Sequence, residues 1–236
     1  VYFFRGNAKF ESGDYPGAIA DYTNFIGINP GDDHAYFNRG CAKFESGDYP
    51  GAIADYSKAI EINPEDASAY LKRADANEYW GDYKAAIADY TNFIGINSED
   101  GEAYKHRGYL KSCLGDNQGA IVDYTKAISI SPGNDLFYVC RGCVKGYLDD
   151  YSGAISDYTK AIKIDPAIAS SFYKRGFARY KLRDYCGATA DFVTALKRST
   201  ISALEDCLDV IIYSFLRGMS RYLSSLFRLA FSKNYR

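Results

Sequence analysis

The chain has 236 residues, a net charge of −2, and 47% hydrophobic and 25% charged residues, a balance ordinary for a soluble folded protein. No global basic field favours nucleic acid, so none is expected as a partner. Six cysteines are too sparse at this length for a disulfide framework, and no Asn-x-Ser/Thr sequon occurs; both point to an intracellular, cytoplasmic setting, with an N-terminal signal left open because the sequence begins at Val1.

From the first residue the chain repeats itself. The string AKFESGDYPGAIADY stands at 8–22 and again at 42–56, a shift of 34. Six units follow in register, at about 1–32, 33–66, 67–100, 101–134, 135–168 and 169–200. Each reads as two short helices. The first carries an aromatic near its start (Tyr2, Tyr36, Tyr70, Tyr104, Tyr138, Phe172) and ends near Gly13, Gly47, Gly81 or Gly115, glycine being the natural helix terminator. An aspartate follows in all six units (Asp14, Asp48, Asp82, Asp116, Asp150, Asp184), placed to cap the second helix. Pro16 and Pro50 then stand in a first turn that tolerates them. The second helix pairs Ala with an aromatic four residues on, from Ala18/Tyr22 to Ala188/Phe192, which makes one buried stripe. Pro30, Pro64, Pro132 and Pro166 close their units.

With a small residue at Gly6, Gly40, Ala74, Gly108, Gly142 and Gly176, these positions make residues 1 to about 200 resemble the tetratricopeptide repeat family. The resemblance implies an all-α, right-handed superhelical solenoid of helix–turn–helix units. It also implies a concave face, lined by first helices, that binds another protein or a peptide segment. On that analogy the variable first-helix positions Asn7, Asn38, Cys41, Lys72, Asp75, Lys105, His106, Tyr109, Tyr173 and Lys174 form the partner groove, beside Phe3, Phe37 and Cys140. Chaperone-binding members grip a terminal carboxylate with Lys and Asn. Here Asn7, Asn38 and Lys72 match, but Phe3 and Ser68 replace two lysines, so that clamp is incomplete.

Two positions depart from the family. Arginine stands at 5, 39, 73, 107, 141 and 175, and sixteen residues after each lies an Asp. One ion pair per repeat layer is expected, within a unit or between neighbours: Arg39 with Asp55, Arg73 with Asp89, Arg107 with Asp123, and Arg141 with Asp157. The competing reading is a solvated surface pair. The second departure is Lys9, Lys43, Lys111, Lys145 and Arg179, whose stems are expected to cover the helix pair while their charges reach solvent.

After Ser199 the repeat stops. Apolar residues from Ile201 to Leu229 recur in steps of three and four, as in an amphipathic helix. The expected role of 201–236 is to cap the last unit. The alternative is weak membrane or self-association, because Arg217–Arg236 holds no acidic residue.

No phosphate loop, His-Glu-x-x-His or Gly-x-Ser-x-Gly motif occurs. Cys140-Arg-Gly-Cys143 has redox or zinc spacing, but it lies inside a first helix without a second pair, so two helix thiols are expected there. Neither cofactor, metal nor catalytic residue is expected. The leading function is an interaction scaffold. The alternatives are a membrane-surface recruitment adaptor and the non-catalytic repeat region or subunit of a larger enzyme.

Overall fold

A computed structural model describes residues 1–198. Residues 201–236, where a capping helix or a membrane-docking one is expected, lie outside the described residues. Among the described residues there are twelve α-helices and no strand. They run α1 (Tyr2–Glu11), α2 (Tyr15–Ile28), α3 (Asp33–Glu45), α4 (Tyr49–Ile62), α5 (Ala67–Trp80), α6 (Tyr83–Ile96), α7 (Gly101–Cys113), α8 (Asn117–Ile130), α9 (Asp135–Tyr147), α10 (Tyr151–Ile164), α11 (Ala169–Lys181) and α12 (Tyr185–Arg198). The fold is therefore all-α, built of one helical hairpin per repeat. No described helix is long and apolar enough to cross a membrane.

Short-range chemistry fixes the helix ends. Asp14, Asp48, Asp82, Asp116, Asp150 and Asp184 each accept a hydrogen bond from the backbone N–H three residues on, at 2.9–3.0 Å, which satisfies a donor that a helix start leaves open. The turn before each cap needs a left-handed residue. Gly13, Gly47, Gly81 and Gly115 supply it at φ between 80 and 90°. In the fifth and sixth repeats Asp149 (φ 59°) and Arg183 (φ 68°) take that conformation with a side chain attached.

The chain divides into two compact bodies, Val1–Gly119 and Ala120 onward. In the first, α1 packs on α2, α3 on α4 and α5 on α6, and each hairpin packs on the next first helix as far as α7. In the second, α9 packs on α10, α11 on α12, and α10 on α11. The same contact closes most hairpins. A Cβ added at Gly6, Gly40, Gly142 or Gly176 would lie 2.7–2.9 Å from the ring of Tyr22, Tyr56, Tyr158 or Phe192 respectively. Only a bare backbone admits the ring at that distance, so the first-helix glycine and the second-helix aromatic are one device. Tyr22, Tyr56 and Tyr158 each then join a small core with the second-helix Ala and the next repeat's first helix: Ala18, Tyr22 and Ala42; Ala52, Tyr56 and Ala76; Ala154, Tyr158 and Ala178.

Candidate partner-binding site

The arginines and aspartates form the frame on which the candidate site is mounted. Arg39 donates from Nε and Nη2 to both carboxylate oxygens of Asp55 (2.8 and 2.7 Å). Arg73 does the same to Asp89 (2.9 and 2.6 Å), and Arg141 to Asp157 (3.0 and 2.7 Å). Arg5 with Asp21 and Arg175 with Asp191 follow the pattern. The remaining Nη1 donates to the preceding repeat: Arg39 to Thr23 (3.1 Å), Arg73 to Ser57 (2.9 Å), Arg107 to Thr91 (3.1 Å). Each guanidinium also lies over the first-helix aromatic, as Arg39 does over Tyr36 at 5.5 Å and Arg107 over Tyr104 at 5.4 Å. One planar fork thus ties two helices of its own repeat and one of its neighbour.

The second basic position turns inward, contrary to the solvent-facing arrangement expected of it. Lys9, Lys43, Lys145 and Arg179 reach Asp21, Asp55, Asp157 and Asp191 at 2.8–2.9 Å. The physical reason is that these aspartates are buried, and a buried carboxylate draws every donor within reach. Hydrogen bonds from Arg5 and Lys9 hold the Asp21 carboxyl well below the usual carboxylate range. In the third repeat the position is Asn77, whose amide donates to Asp89 at 3.0 Å.

The copied tyrosines aim their hydroxyls at the variable face. Tyr22 donates to Asn7 Oδ1 (2.8 Å), Tyr56 to Cys41 Sγ (3.4 Å), Tyr90 to Asp75 Oδ1 (2.8 Å) and Tyr158 to Cys143 Sγ (3.5 Å). In the sixth repeat the ring is Phe192 and the matching first-helix residue is Phe177, so polarity changes on both sides together. Burial pushes Tyr22 up to about 12 and Tyr56, Tyr90 and Tyr158 further. It also raises the Cys41 thiol and the Asp75 carboxyl.

Among the described residues, cavities open on these faces. In the first body, one of about 330 Å³ is lined by residues that include Phe10, Phe37, Asn38, Cys41, Phe44 and Lys72. A second, of about 610 Å³, is lined by Asp75, Glu78, Tyr79, Tyr83, His106 and Tyr109. In the second body a cavity of about 320 Å³ has walls that include Cys143, Gly146, Tyr147, Tyr173, Lys174 and Phe177. Asn7 and Lys105 line none of the three. Asn7 is spent on Tyr22, and Lys105 pairs with Glu102 on its own helix.

Two family models match within this chain. The model described as TPR repeat matches residues 41–78 and 147–182, and the one described as Tetratricopeptide repeat matches 67–100. This chain is a tetratricopeptide repeat protein. Solved tetratricopeptide repeat structures resemble it. MamA is 25% identical with a TM-score of 0.68, over 70% of this chain and 91% of MamA. YrrB, described as a TPR protein with an unusual peptide-binding site, is 20% identical with a TM-score of 0.69, over 80% of this chain and 96% of YrrB. The C-terminal part of a TPR repeat-containing protein from Cytophaga hutchinsonii is 17% identical with a TM-score of 0.74, over 83% and 78%. No curated protein matches the sequence.

Several residues of the repeat faces went unnoticed in the sequence: Glu78, Tyr79, Gly146 and Tyr147. The signal was present in the column Phe10, Phe44, Glu78, Ser112, Gly146, Tyr180 and in the column after it, which vary as much as the named positions. Cys140 packs with Ala120, Tyr124 and Val144, and Cys143 accepts from Tyr158. Among the described residues no cluster of His, Cys, Asp and Glu could hold a metal ion.

Proposed function

We propose that the chain is a protein-interaction scaffold that holds a partner's segment against the variable faces of its first helices. One observation carries this reading. Most of the residues that line the cavities differ between repeats, while the residues that build the hairpins are copied. Hairpin geometry explains the copied set: the glycine–ring contact, the Asp caps and the Arg–Asp frame. It does not explain why Gly146, inside α9, faces open space where other repeats carry Phe10, Phe44 or Tyr180. Glycine is a poor helix former, and here, in the last turn of α9, it leaves a cavity open. The aromatic and polar walls suit a segment with apolar anchors and a few oriented hydrogen bonds.

The test begins with peptides selected from a random display library on the full chain. Their affinity is then measured on a variant combining Asn38→Ala, Lys72→Ala, His106→Ala, Tyr109→Ala and Gly146→Phe. A loss of about tenfold or more, roughly 1.4 kcal/mol, is expected. The control variant Ala20→Ser, Ala54→Ser, Ala88→Ser changes copied, exposed second-helix positions and should bind as the parent does. Equal losses in the two variants would refute the assignment to the first helices.

A further inference from the structure

The cavity lined from α5, α6 and α7 differs from the other two in its charge. Two of its lining residues, Asp75 and Glu78, converge on one hydroxyl: Tyr90 Oη lies 2.8 Å from Asp75 Oδ1 and 3.2 Å from Glu78 Oε2. A hydroxyl has one proton to donate, so these two carboxylates share a single donor there. The neighbouring basic groups stand further off. Lys72 Nζ is 3.9 Å from Asp75 Oδ2, and His106 Nδ1 is 3.5 Å from Glu78 Oε2 with its ring stacked on Tyr90. Burial raises the Asp75 carboxyl, outweighing the hydrogen bond from Tyr90 and the charge of Lys72.

Tyrosine rings complete the walls. Tyr79 is 68% exposed and Tyr109 51% exposed, although each carries a large apolar ring. Tyr79 is held by stacking on Tyr49 and by an edge contact with Phe44. Ring faces are negative and attract cations. An acidic ligand would be repelled here, and an apolar side chain would bury two carboxylates without giving either a donor. A flexible chain ending in a positive charge satisfies both the carboxylates and the rings, and the volume of about 610 Å³ accommodates it. We infer that this cavity takes the ammonium or guanidinium group of a lysine or arginine carried by a partner's segment. The inference rests on the scaffold reading and names the partner chemistry for one of its cavities.

The probe is Nα-acetyl-lysine amide, titrated into the isotope-labelled full chain by NMR, with Nα-acetyl-norleucine amide as its uncharged counterpart. The lysine probe should shift resonances of Tyr79, Tyr83, His106 and Tyr109 and bind about tenfold more tightly than the norleucine probe. The Asp75→Asn, Glu78→Gln pair should abolish that preference, and Tyr79→Ala, at an exposed ring, should weaken it with the fold intact. Equal binding of the two probes, or a preference unmoved by these changes, overturns the inference. If selected peptides still bind the chain in that case, the scaffold reading survives; if they do not, both fail. A peptide of residues 217–236 is run alongside. If it displaces the lysine probe at far lower concentration and the full chain self-associates, a second copy is the occupant and a separate partner is ruled out.

Discussion

A buried aspartate is costly, and this protein carries one in every repeat. In five of the repeats a guanidinium fork is seen on it, and in four of those a second basic residue reaches the same carboxylate; both offset its cost. The third repeat has a neutral amide, Asn77, in that place. Arg73→Leu should therefore destabilise the fold by roughly 2–4 kcal/mol, about 1 kcal/mol more than Arg141→Leu, whose Asp157 keeps Lys145. Denaturant unfolding of the two variants measures the difference. Equal costs would mean that the second base contributes nothing. Arg183 makes the opposite case. It holds φ 68° where four repeats use glycine, so Arg183→Gly should stabilise by up to about 1 kcal/mol. A loss of stability would mean that the side chain makes a contact worth more than the strain.

The helix is where glycine's two roles separate. At Gly40 an added Cβ would meet Tyr56 Cε1 at 2.7 Å, whereas at Gly146 nothing lies within 4 Å. Gly40→Ala should cost about 1–3 kcal/mol because ring or helix must move. Gly146→Ala should gain about 0.5–1 kcal/mol through helix propensity. Thermal unfolding of both variants shows whether the signs differ; the same sign in both would contradict the packing described. Much of this level was legible in the sequence, because caps, turns and the Ala/aromatic stripe are local chemistry repeated six times. What escaped was direction. Lys43 on a helix surface reads as solvated, and only the position of Asp55 across the hairpin turns it inward. Gly146 likewise reads as a weak helix position until the space beside it is seen.

For the molecule as a whole, five of the six repeats share one titration liability, a buried tyrosine. Folded Tyr22, Tyr56, Tyr90 and Tyr158 hold their protons above the ordinary value of 10.0. Unfolding releases those protons at lower pH. This part of the stability is therefore complete below pH 10 and falls as pH rises through the folded values, by up to about 1.4 kcal/mol per pH unit for each tyrosine. Alkaline titration should show tyrosinate absorbance from these rings rising together with loss of helical signal. Ionisation near pH 10 with the helices intact would contradict their burial. At this scale the sequence supports the repeat class and the variable positions, because copying and variation are visible without coordinates. Which variable residues share a cavity was not legible: Lys72 opens with Asn38, whereas Asp75, three residues on, opens with His106. On the proposed function a partner's segment lies on the first helices. Hydrogen exchange of the full chain, free and saturated with a display-selected peptide, tests it most directly. Slowed exchange is expected within α1, α3, α5, α7, α9 or α11; protection confined to α2, α4, α6, α8, α10 and α12 would place the segment elsewhere.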